Sequence, residues 1–70
     1  MIPLILADAG QELTIRKIGG SPEAKQHLAD MGFNVGTSVT VITAMEGNVI
    51  VKVKDSRVAI SREAAQKIMV

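Results

Sequence analysis

His27 is the only histidine in the chain, one helical turn after Glu23 and about one turn before Asp30. On a helix, that spacing puts an imidazole and two carboxylates on one face, an open set of donors that holds a divalent cation weakly. Structural metal sites usually close four ligands around the ion, often with sulfur, and the chain has no cysteine. Glu23, His27 and Asp30 therefore read first as a solvated helix face, and no resident metal is expected. Gly19-Gly20 precedes a helix start, as phosphate-cradling loops do. It lacks the lysine and the glycine spacing of a nucleotide loop, so it reads as a turn. Ser21, Ser38, Ser56 and Ser61 supply hydroxyls without a nearby base, and the acids form no sheltered pair. No catalytic residue and no cofactor are expected. The reading is a non-enzyme.

What remains is surface chemistry. Lys52, Lys54 and Arg57 cluster late in the chain, and Arg16 with Lys17 early. Three cations on one hairpin suit an acidic partner, supplying orientation and on-rate more than affinity. The competing reading is ordinary charge that blunts a sheet edge. A second candidate contact is apolar: Phe33 and Val35 at a corner, with Met31 and Met45 nearby. Flexible methionines adapt to partners, although filling a core is their commoner use.

The elements that position these groups follow from pattern. Met1 to Leu6 reads as an extended edge piece with Leu4 and Leu6 inward, and Asp8-Ala9-Gly10-Gln11 as a turn. Leu13 to Ile18 reads as a strand whose apolar phase slips, since Leu13 and Ile15 match but Ile18 is one residue out. A bulge near Arg16-Lys17 would reconcile them. Ser21-Pro22-Glu23 opens a helix with a capping hydroxyl, a proline where no amide is needed and an early acid. Ala24, Leu28 and Met31 share one face, and Gly32 supplies the left-handed residue that stops the helix. Gly36 is a second backbone break. From Thr37 the period becomes two: Val39 and Val41 alternate with Ser38 and Thr40. Beyond Glu46-Gly47-Asn48, Val49, Val51 and Val53 alternate with Ile50, Lys52 and Lys54. Asp55-Ser56 reads as a tight turn and Arg57 to Ile60 as a short strand. Ser61 caps a last helix, Arg62 to Lys67, docked by Ala64, Ala65 and Ile68, with Met69-Val70 returning as a strand. The pattern is mainly β: a single domain over residues 1–70, a small SH3-like barrel of about five strands with two short helices inserted.

Composition narrows the function further. Seventy residues, 47% of them hydrophobic, allow one compact core and leave little stability for strained polar sites. The apolar run Met1 to Ala7 is short and lacks a basic segment before it, so neither a signal peptide nor a membrane span is expected. A net charge of +1 and one aromatic residue argue against nucleic acid as partner. With no Trp and no Tyr, a groove for proline-rich peptides has nothing to line it.

The ordered series resembles the ferrous iron transport A family, FeoA, along essentially the whole chain. Leu4, Leu6 and Gly10 resemble its opening, and Ile15, Ile18 and Gly19-Gly20 the strand and glycine pair before its helix. Leu28, Met31-Gly32-Phe33 and Val35-Gly36 resemble its most distinctive corner. Val49 to Val53, Arg57 to Ile60, Ala64, Ile68 and Val70 resemble its closing hairpin and last helix. Val35 stands where the family commonly has proline, and Leu13 where it commonly has glycine. The resemblance implies an SH3-like fold and a small cytoplasmic accessory protein, monomeric or weakly self-associating. Its implied partner is the cytoplasmic region of a membrane GTPase that transports ferrous iron, which would hold it at the inner membrane without insertion of its own. Similar modules at the carboxyl end of iron-dependent repressors imply an alternative, a stand-alone regulatory module.

Overall fold

Val39 and Val41 face Val53 and Val51 across an antiparallel pair, which gives this pair of strands one apolar, buried side. The computed structural model describes residues 1–70. Its elements are β1 (Glu12–Thr14), β2 (Lys17–Ile18), α1 (Pro22–Asp30), β3 (Ser38–Met45), β4 (Asn48–Val53), β5 (Ser56–Ser61), α2 (Arg62–Lys67) and β6 (Ile68–Met69). Strands β1-β3-β4-β5 form one sheet and β2-β6 a second, all pairs antiparallel. Phe33, Leu4, Ile15, Leu28, Ile60 and Ile68 fill the space between the sheets and helices. The architecture is the expected SH3-like one, with two sheets that do not close into a continuous ladder.

Both helices begin as the sequence predicts. The Ser21 and Ser61 hydroxyls each accept a 3.1 Å hydrogen bond from the amide three residues on, Ala24 and Ala64. Helix α1 ends in a paired motif: the Phe33 amide donates to the Leu28 carbonyl and the Gly32 amide to that of Ala29. Gly32 has φ +97. Leu28 and Phe33, the residues that such a motif brings together, are both buried. Gly19 and Gly20 serve packing: Gly19 bonds the Lys67 carbonyl, and a Cβ on Gly20 would come within 3.1 Å of the Lys67 Cδ.

Four expectations are corrected. The stretch Leu13 to Ile18 is two strands in two sheets, so the structure has six strands where the sequence suggests about five. The Ile15 amide bonds the Thr37 carbonyl and the next amide, Arg16, bonds that of Met69, so the chain passes between sheets there. Met1 to Leu6 is not all extended, because Leu4–Leu6 winds into a 3-10 turn. That three-residue period keeps Leu4 in the core and turns Leu6 outward, 68% exposed. The second hairpin turns at Lys54-Asp55, and Ser56 already pairs with Val53. The final strand is Ile68–Met69, while Val70 bonds Ile2 through both backbone groups.

Candidate functional site

The outer face of the larger sheet gathers the cations. Register aligns Glu12, Thr40, Lys52 and Arg57 side by side across β1, β3, β4 and β5. Lys52 and Arg57 are exposed, because Val51, Val53 and Ile60 hold the opposite phase in the core. Lys54 lies in the turn beyond β4, not on the strand phase that the sequence suggests, with φ 55. It still reaches the same face: Lys52 and Lys54 line one shallow depression with Glu12, Thr37, Ser38 and Thr40. These four lining residues were not legible as site residues. The alternation of β3 marks Ser38 and Thr40 as outward, but only the β1-β3-β4 register brings them beside the lysines. Arg16 and Lys17 belong to the part of the chain that joins the smaller sheet, so they do not extend this row.

The apolar candidates divide. Phe33 is fully buried, which corrects its assignment as a contact residue; the helix-ending motif turns its ring into the core. Val35 and Met45 are 65% and 55% exposed, and Met31 is half-buried. Val35 precedes β3 and Met45 ends it, so an eight-residue strand, roughly 25 Å, separates them. They do not form one patch. The register of β3 shifts between Val41 and Thr43, leaving Ile42 unpaired. That bulge reverses the phase and carries Met45 to the outer face.

The FeoA family model matches residues 2–70. The chain belongs to the FeoA family. It is 43% identical over 70 residues to a protein of Methanocaldococcus jannaschii named "Putative Fe(2+) transport protein A", covering 100% of this chain and 85% of that one. The crystal structure of an iron uptake regulatory protein, FeoA, superposes with a TM-score of 0.88 at 28% identity, over 96% of this chain and 89% of that one. A manganese-dependent transcriptional repressor superposes with a TM-score of 0.86 over 94% of this chain and 38% of the repressor. At 23% identity this last likeness concerns the fold alone.

For a FeoA-family chain, the question of a direct metal contact rests on Glu23, His27 and Asp30. All three are exposed on α1, and the Asp30 Oδ1 accepts a 2.8 Å hydrogen bond from the Gln26 side-chain amide. His27 instead borders a groove between the helices, with Ala24 and Leu28 on its own side and Glu63, Ala64 and Lys67 across it. No three His, Asp or Glu side chains converge on one point. Titration with ferrous iron or zinc, followed through the His27 ring signals, is expected to give weak, fast-exchanging shifts only. Stoichiometric sub-micromolar binding that disappears in His27→Ala would reverse this assignment.

Proposed function

We propose that this FeoA-family chain is a non-enzymatic accessory protein of ferrous iron uptake that docks on the cytoplasmic region of a membrane GTPase transporter. The observation that carries the reading is the exposed cationic group on one face: Lys52 and Arg57 paired in register across β4 and β5, with Lys54 in the turn that joins the two strands. Family membership supports the iron transport context. The Ser21 and Ser61 hydroxyls are engaged as helix caps, which supports a role without chemistry of its own. No helix is long and apolar enough to cross a membrane, so contact with the membrane is assigned to the partner. The module acts by binding one conformation of the transporter better than another, since only differential affinity shifts an equilibrium.

The test is a pull-down of the transporter's cytoplasmic region, with and without guanine nucleotide. Lys52→Glu, Lys54→Glu and Arg57→Glu combined should leave the fold intact, because exposed substitutions usually change stability by less than about 0.5 kcal/mol each. Association should slow at least about tenfold at low salt, and the salt dependence should change sign. Met45→Ala serves as the apolar comparison. A raised off-rate there, with salt of little consequence, would move the contact to the apolar end of β3. Absence of binding in both nucleotide states would refute the reading.

A further inference from the structure

We infer that the depression lined by Glu12, Thr37, Ser38, Thr40, Lys52 and Lys54 is a seat for a single carboxylate, an Asp or Glu side chain of the docking partner. Every lining residue is polar. The three side-chain hydrogen bonds in the structure all lie on the helices and their caps: Ser21 to Ala24, Gln26 to Asp30 and Ser61 to Ala64. The hydroxyls of Thr37, Ser38 and Thr40 and the ammonium groups of Lys52 and Lys54 therefore have no protein partner. All five are donors, and a carboxylate has about four lone-pair positions to receive them. Hydrogen bonds to an ionised acceptor are roughly twice as strong as neutral ones.

Backbone constraints hold the seat in place. The Thr37 carbonyl accepts from Ile15, its amide donates to Asn34, and Gly36 bonds the Ile15 carbonyl, so the start of β3 is fixed from both sides. Thr40 stands directly between Glu12 and Lys52. Lys54 is the one residue other than glycine with a positive φ. It is the first of the two residues in the turn between β4 and β5, where a tight hairpin requires a left-handed backbone, so its Cα position is fixed by the hairpin. Charge selects the ligand. The lining holds two lysines against one glutamate, and Arg57 stands beside Lys52 on the same face, so the surroundings favour an anion.

The inference rests on the docking reading, yet it has its own test. The probe is acetyl-Gly-Glu-Gly-amide, which carries one carboxylate, titrated at millimolar concentration into isotope-labelled protein while amide signals are followed. Saturable shifts are expected at residues 37–40, 52 and 54, with none from the Gly-Gln-Gly analogue. Thr40→Val keeps the branched shape and both lysines but loses a hydroxyl, and should weaken binding about tenfold. Simple attraction between charges would leave that variant unchanged. Lys54→Asn removes a cation while suiting a left-handed backbone better, so it folds, and it should lose the saturable shifts. The seat is refuted by any of four results: no saturable shift, shifts spread over Arg16, Lys25 and Arg62, tighter binding of inorganic phosphate, or a Thr40→Val that binds as the parent does. The transporter separates the two claims. Binding that is lost in the triple Glu variant but unchanged in Thr40→Val removes the seat and keeps the docking reading. A chain that holds the tripeptide yet ignores the transporter removes the docking reading and keeps the seat.

Discussion

Phe33→Ala is expected to be the most damaging single truncation in this protein. Phe33 has the largest fully buried side chain and lies three residues beyond the end of α1. Removing a buried aromatic ring costs about 3–5 kcal/mol, through lost transfer energy and the cavity left behind. A domain of this length has about 4–10 kcal/mol in total, so the variant keeps between roughly two-thirds and none of its stability. Thermal unfolding followed by circular dichroism should shift down by roughly 12–40 °C. Urea unfolding should show a lower midpoint with an unchanged slope, provided the denatured chain stays equally exposed. The alternative forecast comes from reading Phe33 as a surface contact. In that case the variant would melt within a few degrees of the parent and lose partner binding instead.

That contrast shows where sequence stops. A lone aromatic beside a glycine corner is compatible with a contact or with a core, because local pattern cannot say which side of the corner the body of the protein occupies. The structure decides it through the Leu28 carbonyl, which fixes the Phe33 amide and sends the ring inward. The same limit governs Leu13 to Ile18. The slipped phase was legible, but its cause is a transfer between two sheets, set by carbonyls more than twenty residues away at Thr37 and Met69. The bulge that does exist, at Ile42, was hidden because an isoleucine satisfies an apolar pattern on either side of it. Signals that are complete within a few residues are legible in the sequence: the Ser21-Pro22 opening, the Ser61 cap and the valine alternation of β3 and β4.

The cationic face shows the same division. Lys52 and Arg57 were legible because each sits out of phase with the valines and Ile60. Glu12, Thr37, Ser38 and Thr40 needed the strand register, which no local window contains. Lys54 came to the right face by a different route, through a turn that begins one residue earlier than its sequence suggests. A six-residue strand packs its outward residues at a fixed spacing, so once two members of the face are known, the register supplies the rest.

Gly32→Val should be a costly backbone substitution, at about 1–3 kcal/mol. Space is not the problem. A Cβ on Gly32 would approach nothing closer than Val53 Cγ2 and Lys54 Cδ, both at 3.9 Å, which is ordinary contact. The cost lies in φ +97, which side-chain-bearing residues resist and β-branched ones resist most. A three-member series separates these causes through its order. If backbone conformation governs, Asn should cost less than Ala although it is larger, since its short polar side chain tolerates left-handed angles, and Val should cost most. If crowding governs, the order should follow volume, with Ala mildest. Relaxing φ would also break the Gly32–Ala29 and Phe33–Leu28 bonds together, so the loss should propagate to the core. Hydrogen exchange then provides a local reading, with the Gly32 and Phe33 amides expected to lose protection before those of β3 and β4. A Gly32→Val protein that melts with its parent would mean that α1 does not end in the motif described.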